Sequence, residues 1–412
     1  MEGPTLGING LGRIGKLAVW HEVASRRFAR LVVNTGREVG RSLDDLVHYL
    51  SHDSTYGRMG RFLKGFAGAD PPIRVIDRER RLVEIEGIEV ELLAEARNPK
   101  DIGWGGRGVR LVVDTTGAFL DPTLPAGHPG GSLQGHLEAG AQVVVASAAF
   151  KVKNGRRLGD DSVMLIYGIN HERFDAAQHC MVSAASCTTT ALAHMLLPLL
   201  NHELTHVMLT ASMSTVHAAT NSQSVLDAVP KAGAKDLRKT RSALNNIILT
   251  STNAARALES VIPEIATIGF LADSVRVPIS TSSLIILNCT FQSKLDENGR
   301  SLIHRDAVNG IYRDYAEAPR SGVIFTEKQN VSTDMIAERA AVVIEGAETH
   351  ARTGFTRVDL GEIADLPELP PEHRVVEIPV THLKVFGWYD NEHGSYTARM
   401  SELVHHVADR IV

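Results

Sequence analysis

Cys187 stands where a cysteine could act as a nucleophile. It follows an apolar run that ends near Val182 and precedes a helix-like run over 191–200. A cysteine at such a junction lies among the unpaired N–H groups of a helix N-terminus, where the helix dipole favours the nucleophilic thiolate. An isolated cysteine is more typical of a small buried residue in a Ser/Thr-capped turn, so the other motifs decide its interpretation.

His217 is the candidate base for this sulfur. It ends an alternating strand pattern over 207–217 that could return to the cysteine helix. A thiolate beside a nicotinamide suits aldehyde oxidation: sulfur adds to the aldehyde, hydride leaves to the cofactor and a thioester remains, with the imidazole moving the proton. Taken alone, His217 is one of 18 histidines, and a structural role is the more common one.

A glycine pattern near the N-terminus indicates a dinucleotide site. Residues 9–15 are N-G-L-G-R-I-G, a G-x-G-x-x-G set among two strand patterns and one helix pattern, at 6–8, 31–33 and 13–24. In that context the first glycines let the backbone approach a pyrophosphate, and the last lets helix and strand pack closely. The predicted cofactor-binding residues here include Asn9, Gly10 and Gly12.

The residue after the second strand bears on the cofactor. An acidic residue is expected there to bind the ribose 2′-hydroxyl, but the chain has Thr35, with Arg37 close by. A missing carboxylate beside an arginine is the pattern that tolerates a 2′-phosphate, so the cofactor is predicted to be NAD or NADP. Thr116 and Ser147 follow two further apolar strands, at the edge where ligands bind in open α/β sheets.

His202 and His206 form an H-E-x-x-H pattern, which is typical of zinc proteases. That pattern works only on a helix, where both histidines share a face. Here Pro198 precedes the pattern, a strand begins at Val207, and no third ligand is evident. We therefore predict no metal site.

These patterns predict an α/β protein with a Rossmann-type parallel sheet and an α+β catalytic domain with a mixed or antiparallel sheet. The expected domains are 1–186 for the dinucleotide, 187–390 for catalysis, and a C-terminal helix over 391–412 that returns to the first domain. A hairpin is predicted over 83–93, with strands at 284–291 and 383–388. The Pro/Gly-rich stretch 121–135 is predicted to be a surface insertion, and the charged stretch 326–371 has no firm pattern.

Composition excludes several other classes of protein. The chain of 412 residues has 43 basic and 48 acidic residues, a balance that indicates neither nucleic-acid binding nor a polybasic membrane patch. Its three cysteines form no disulfide framework, its N-terminus lacks a signal-peptide pattern, and its longest apolar run is too short to span a membrane. We expect a cytoplasmic protein.

Eight segments together resemble the phosphorylating glyceraldehyde-3-phosphate dehydrogenase family. They occur in family order at 7–15, 53–58 (D-S-T-Y-G-R), 185–189 (A-S-C-T-T), 215–221 (T-V-H-A-A-T-N), 250–252, 261–264, 276–278 and 388–392 (W-Y-D-N-E). The resemblance implies reversible oxidation and phosphorylation of glyceraldehyde 3-phosphate to 1,3-bisphosphoglycerate, as in glycolysis or gluconeogenesis. It also implies a homotetramer, with a loop within 221–249 lining a neighbour's cofactor site.

The resemblance assigns roles to individual residues. Cys187 corresponds to the nucleophile and His217 to the base. The inorganic-phosphate site corresponds to three hydroxyl residues, Ser186, Thr188 and Thr252. Thr220 and Arg276 correspond to the clamp for the substrate's own phosphate, which suits a guanidinium and a hydroxyl. The cofactor positions are the pyrophosphate loop at Gly10, Arg13 and Ile14, and Asn391 for the nicotinamide amide.

The chain departs from the family pattern at several positions, and two other functions stay open. Thr35, Ala184, Thr190, Ser222, Asn253 and His393 replace the family's usual residues. One alternative is erythrose-4-phosphate dehydrogenase, which would oxidise its substrate without incorporating phosphate. The other is a catalytically silent nucleotide-binding protein on the same fold, and the joint presence of the predicted catalytic and binding residues argues against it.

Overall fold

The structure, a computed structural model, describes residues 3–68, 72–94, 96–153, 155–363, 367 and 370–411. The chain divides into two compact units. Unit 1 comprises Met1–Thr190, Ile336–Arg339 and Asp390–Val412, and unit 2 comprises Ala191–Met335 and Ala340–Tyr389.

Strands and helices are numbered here in chain order. The strands are β1 Thr5–Asn9, β2 Arg30–Asn34, β3 His52–Asp53, β4 Gly57–Arg58, β5 Ile73–Asp77, β6 Leu82–Ile85, β7 Ile88–Leu93, β8 Val109–Asp114, β9 Val143–Ala146, β10 Ser162–Met164, β11 Met181–Ser183, β12 Met208–Ala218, β13 Ile248–Thr250, β14 Gly269–Val277, β15 Ser283–Gln292, β16 Val323–Thr326, β17 Val342–Glu345, β18 His350–Asp359 and β19 Val375–Tyr389. The helices are α1 Arg13–Ser25, α2 Leu43–Ser51, α3 Met59–Lys64, α4 Leu133–Glu138, α5 Cys187–Leu200, α6 Ala254–Val261, α7 Arg305–Glu317, α8 Pro371–Arg374 and α9 Ala398–Ile411.

The main sheet of unit 1 has the predicted Rossmann-type character. Within the described residues its strand order is β10-β11-β9-β8-β1-β2-β7-β6-β5, and the pairs from β10 to β7 are parallel. Its central strands are continuous apolar runs because both faces of the sheet are buried. The register brings Asn9 beside Asn34 and Asp114, so the carboxyl ends of β1, β2 and β8 meet at one edge.

The sheet of unit 2 is mixed, as predicted. Its order is β13-β14-β12-β15-β19-β17-β16, with β18 paired to β19. The central strand β12 is parallel to β14 and antiparallel to β15. Alternate residues of β15, including Ile285 and Leu287, are fully buried and form one face of the sheet's core.

The hairpin predicted over 83–93 is confirmed as β6 and β7, with a left-handed turn at Glu86 and Gly87.

The stretch 121–135 was predicted to be a surface insertion, and this prediction is wrong at both ends of the stretch. Asp121 is buried, and Leu133 begins α4 inside a core cluster with Trp104 and Phe119. The Pro/Gly-rich composition of this stretch therefore gave no indication that α4 begins there in a buried position.

The C-terminal half of the chain is more regular than its sequence indicated. Stretch 326–371 contains β17 and β18, and β19 extends well before the predicted start of its strand at residue 383. β18 carries polar residues on both faces, so it lacks the apolar alternation that identifies a strand. Residues 364–366 and 368–369 of this stretch lie outside the described residues. The closing helix begins at Ala398 and not at 391, because residues 393–397 form a π-helical turn.

Candidate active site

Cys187 is the first residue of α5, as predicted. Ser183 ends β11, and the connection passes through Ala185, a non-glycine residue with a left-handed φ of 54°. The Ser186 hydroxyl accepts a hydrogen bond from the Thr189 N–H at 3.2 Å, which caps the helix. Cys187 is half-buried, and its sulfur lies 4.0 Å from the Thr188 hydroxyl. The thiol therefore stands at the positive end of a 14-residue helix.

Tyr396 is a neighbour of this turn that the sequence did not reveal. It belongs to the π-helical turn His393–Thr397, and its hydroxyl lies 3.5 Å from the Ala185 carbonyl oxygen, which accepts its hydrogen bond. Burial raises the pKa of Tyr396, and the nearby Cys187 raises it further. The phenol consequently remains protonated beside the candidate nucleophile.

His217 and Arg276 are neighbours on β12 and β14 and share one acceptor. The Ala218 carbonyl oxygen lies 2.8 Å from His217 Nδ1 and 3.3 Å from Arg276 Nη1. Because a carbonyl can only accept, Nδ1 carries the proton, and the lone pair of the neutral ring lies on Nε2. Burial lowers the pKa of His217 to about 3, with the Arg276 charge contributing. The structure thus presents a neutral imidazole whose Nε2 lone pair can accept a proton.

The remaining predicted substrate residues hold local hydrogen bonds. Thr220 Oγ1 lies 3.0 Å from the side-chain oxygen of Gln223 and 2.9 Å from the Ser222 hydroxyl. Thr252 Oγ1 accepts from the N–H of Ala254, the first residue of α6, at 3.1 Å. The predicted site residues fall into two sets: Cys187, Ser186 and Thr188 belong to unit 1, and His217, Thr220, Thr252 and Arg276 belong to unit 2.

The glycine loop of unit 1 has the geometry expected of a dinucleotide fingerprint. Gly10 has a φ of 97°, which side chains rarely tolerate, and its N–H donates to the Asn34 carbonyl. A Cβ on Gly15 would lie 2.0 Å from the Gly10 oxygen, so the predicted close packing is confirmed. A Cβ on Gly12, which precedes α1, would meet nothing within 4 Å. Ile14 packs against the core, which leaves backbone amides as the loop's donors.

A buried hydrogen-bond network holds the strand ends at this edge. Asn34 donates to Asn9 at 2.8 Å, and Asn9 donates to the Asp114 carboxylate at 2.7 Å. The same carboxylate accepts from the Thr116 hydroxyl and from His136 Nε2. The backbone N–H of Ser147 donates to the Asp114 carbonyl. Asn9 is therefore fixed by partners far away in sequence, and Thr116 is fixed by its near neighbour Asp114.

Thr35 lies just beyond β2, and two arginines lie near it, one in the chain and one through the fold. Its hydroxyl is within hydrogen-bond distance of the Arg37 and Leu93 carbonyls. A Cβ built on the next residue, Gly36, would lie 3.5 Å from Arg97. Arg97 is therefore a second arginine at this position, in addition to Arg37. Sequence patterns do not reveal Arg97, because only the fold brings the end of β7 beside the end of β2.

Asn391 is buried between two anchored carboxylates. The Tyr56 hydroxyl lies 2.6 Å from the Asp390 carboxylate and 2.8 Å from that of Glu392. Arg13 bonds both Glu392 oxygens, each at 3.1 Å, so its guanidinium helps to hold this anchor. These contacts join the D-S-T-Y-G-R segment to the W-Y-D-N-E segment and hold Asn391 in place.

Two imidazoles pack together behind this anchor, in an aromatic cluster. The His393 ring lies 4.9 Å from that of His21 and 4.5 Å from that of Phe62, and the His21 Nε2–H donates to the His393 carbonyl at 2.7 Å. Burial lowers the pKa of His21 to about 3 and that of His393 to about 4. Both rings are therefore neutral in the folded protein.

These two histidines should lower the free energy of unfolding as the pH is decreased. The unfolded chain takes up protons below about pH 6.5 while the folded rings do not, so each histidine costs about 2 kcal/mol of unfolding free energy at pH 5 relative to pH 7.5. His393→Phe should remove its share of this loss, because the variant has no proton to gain. Urea unfolding at the two pH values checks the difference. An equal loss in the wild type and the variant would contradict a neutral His393.

Within the described ranges, one group of side chains has the spacing of metal ligands: His171, Glu172 and His406. The Nδ1 atoms of both histidines already accept hydrogen bonds, from Gly168 N–H and from Arg410. Their neutral forms therefore carry a proton on Nε2 and offer no lone pair to a cation. Residues 202–206, the H-E-x-x-H pattern, form turns and not a helix.

Two family models match the chain. Residues 4–122 match the NAD binding domain of glyceraldehyde 3-phosphate dehydrogenase, and residues 186–359 match its C-terminal domain. This chain belongs to the glyceraldehyde-3-phosphate dehydrogenase family. The match confirms the predicted family and fold, and it identifies unit 1's glycine loop as part of an NAD binding domain.

Named relatives in the family are similar over nearly their whole length. Glyceraldehyde-3-phosphate dehydrogenase of Priestia megaterium is 30% identical over 405 residues, which is 98% of each chain. Glyceraldehyde-3-phosphate dehydrogenase 2 of Streptomyces arenae is 31% identical over 400 residues, 97% of this chain and 96% of the relative. Glyceraldehyde-3-phosphate dehydrogenase 1 of Bacillus subtilis is 29% identical over 407 residues, 98% of each chain.

No helix in the described part of the chain has the length and apolar character to cross a membrane.

Proposed function

We propose that this protein catalyses the reversible oxidation and phosphorylation of glyceraldehyde 3-phosphate to 1,3-bisphosphoglycerate. The observation that carries the proposal is the position of Cys187 at the start of α5, in a chain of the glyceraldehyde-3-phosphate dehydrogenase family. We infer residues 1–186 as the cofactor domain, 187–390 as the catalytic domain, and 391–412 as a segment that returns to the first.

In the proposed reaction Cys187 carries the acyl group. Its thiolate bonds to the aldehyde carbon and gives a hemithioacetal. His217 removes the hemithioacetal proton through Nε2, as its neutral state and the Ala218 hydrogen bond allow. A nicotinamide bound in the cofactor domain would supply the hydride acceptor for this oxidation. The resulting thioester is attacked by an oxygen of inorganic phosphate, and the Cys187 thiolate leaves.

Hydroxyl and guanidinium groups suit the two phosphates of this reaction. We assign Ser186, Thr188 and Thr252 to inorganic phosphate, and Thr220 and Arg276 to the phosphate of the substrate. Arg276 is held against β12 by its bond to the Ala218 carbonyl, which supports a fixed rather than a mobile cation. Asn391, anchored through Asp390 and Glu392, is assigned to the nicotinamide amide.

The test of this function is the dependence of the reaction on phosphate. We expect reduction of the cofactor with glyceraldehyde 3-phosphate to require inorganic phosphate for repeated turnover. Sustained turnover without phosphate, or turnover only with erythrose 4-phosphate, would favour erythrose-4-phosphate dehydrogenase. Absence of turnover with both aldehydes and both cofactors would favour the silent nucleotide-binding alternative.

NADP is the cofactor form that the surroundings of Thr35 favour. A carboxylate at this position would repel a 2′-phosphate. The chain instead has the hydroxyl of Thr35, with the cations of Arg37 and Arg97 nearby. Thr35→Asp should therefore shift the ratio of kcat/KM values for NADP and NAD at least about tenfold towards NAD. Thr35→Ser is the matched control, because it keeps a hydroxyl without charge. An unchanged ratio in the aspartate variant would contradict this specificity role.

We also infer a homotetramer in the cytoplasm. Support comes from the loop within 221–249, which exposes several large apolar side chains that a neighbouring subunit could cover, among them Val225, Val229 and Ile247. None of the three cysteines forms a disulfide with another described residue, which fits a reducing compartment.

A further inference from the structure

Two carbonyl oxygens in the glycine loop of unit 1 are held by side chains from outside the loop. The Gly10 carbonyl accepts a hydrogen bond from the Thr115 hydroxyl at 2.8 Å. The next carbonyl, that of Leu11, accepts one from the Tyr49 hydroxyl, also at 2.8 Å. Thr115 directly follows β8, whereas Tyr49 belongs to α2. A helix that is separate in sequence from the loop therefore fixes the middle of the loop through one tyrosine.

The bond from Tyr49 also orients the backbone N–H of the following residue, Gly12. In a trans peptide unit the C=O and the N–H point in opposite directions within one plane. Because the Leu11 oxygen is held towards the Tyr49 hydroxyl, the Gly12 N–H points away from that hydroxyl. The space beside Gly12 is open, since a Cβ built there would meet no atom within 4 Å. A fixed N–H beside open space, just before α1, suits an oxygen of a phosphate group.

A buried ion pair holds the ring of Tyr49 in position. The Lys16 ammonium lies 4.5 Å from the centroid of that ring, which is a cation–π contact. The same ammonium lies 2.9 Å from the Asp53 carboxylate and donates to the His52 carbonyl at 2.7 Å. The side chains of Lys16 and Asp53 are only 5% and 6% exposed. The Tyr49 ring therefore packs against a fixed cation, although Tyr49 itself is 38% exposed.

We propose that Tyr49 is a positioning residue for the pyrophosphate of the cofactor and acts through the Leu11 carbonyl. The inference rests on the cofactor site of the proposed function and not on the residues assigned to the aldehyde or to inorganic phosphate. Without the hydroxyl, the peptide unit between Leu11 and Gly12 loses the bond that orients it. Binding of the dinucleotide would then have to order that unit, and the cost of this ordering lowers affinity. A tyrosine with a purely structural role would affect stability and leave cofactor affinity unchanged.

The test is the affinity of the full-length Tyr49→Phe variant for NADP and for NAD, measured by isothermal titration without aldehyde or phosphate. The variant loses the hydroxyl and keeps the ring against Lys16. Both affinities should fall about three- to tenfold, the effect of one hydrogen bond, and by the same factor because both cofactors contain the pyrophosphate. Tyr312→Phe is the matched control in unit 2, because it removes a hydroxyl that donates to the Met195 carbonyl at 2.7 Å. The control should change both affinities less than about twofold.

Two further measurements separate positioning from a loss of stability. Adenosine has no pyrophosphate, so its affinity, measured by competition with the cofactor, should be the same in Tyr49→Phe and in the wild type. Without ligand, Tm should fall more in Tyr312→Phe than in Tyr49→Phe, because Tyr312 is fully buried and Tyr49 is not.

Three results would overturn the proposal: unchanged cofactor affinity in Tyr49→Phe, equal weakening by both variants, or equal weakening of adenosine and cofactor. Absence of cofactor binding by the wild type would overturn it together with the cofactor site. Absence of aldehyde turnover despite normal cofactor binding would contradict the proposed reaction alone, because the titration uses no aldehyde.

Discussion

Replacement of Cys187 by serine is expected to lower kcat for aldehyde oxidation by at least about 10³-fold. A serine hydroxyl remains protonated at neutral pH and cannot form the thioester that the proposed reaction requires. The substitution changes one atom at the start of α5, and Ser186 still caps the helix, so the fold should be retained. Steady-state kinetics with glyceraldehyde 3-phosphate and each cofactor measures the effect.

Cys180 provides the matched control for this variant. It is a half-buried cysteine in the same unit, it lies 3.9 Å from the Asp161 carboxylate, and burial raises its pKa. Its thiol is therefore a poor nucleophile, and Cys180→Ser should keep near-normal kcat. Retained oxidation in the Cys187 variant, or an equal loss in both variants, would remove Cys187 from the reaction.

Replacement of His217 by asparagine is expected to lower kcat by about 10²–10⁴-fold, the usual contribution of a general base. Asparagine can still donate a hydrogen bond towards the Ala218 carbonyl but cannot accept a proton from the substrate. Because burial and Arg276 keep the pKa of His217 near 3, the wild-type ring is neutral through the range in which activity is measured. The variant should bind cofactor normally, so the loss should appear in kcat and not in cofactor affinity.

His206→Asn is the control for this substitution. His206 lies exposed in the turn over 202–206, and its Nδ1 bonds the Glu203 carbonyl. This change should leave kcat within about twofold, as surface substitutions away from a site usually do. If the His217 variant retained full kcat, the base would have to be another group. If the His206 variant lost activity, the turn would have a role that we do not assign to it.

Local patterns predicted the first half of the chain well. The glycine loop, α1 and the buried strands follow from short-range rules: apolar runs mark strands covered on both faces, and Gly10 and Gly15 are required by a positive φ and by close packing. The start of α5 at Cys187 was likewise predictable, because a Ser-capped helix after a strand has a local signature.

Short-range sequence rules could not predict the contacts between segments that are distant in the chain. The Tyr56 hydroxyl meets Asp390 and Glu392, and Arg97 lies beside Gly36, only because the fold brings separate strand and loop ends together. The family resemblance supplied the segments that contain Tyr56 and Glu392 but not the hydrogen bond between them. β18 stayed unassigned for a related reason, because its polar residues gain meaning only beside β19.

The most direct test of the central claim is the mass of the enzyme after it is mixed with glyceraldehyde 3-phosphate and oxidised cofactor in the absence of phosphate. We predict one acyl group per chain, located on the peptide that contains Cys187, with one reduced cofactor formed per chain and loss of the acyl group when phosphate is added. Formation of reduced cofactor without acylation of Cys187 would contradict the account.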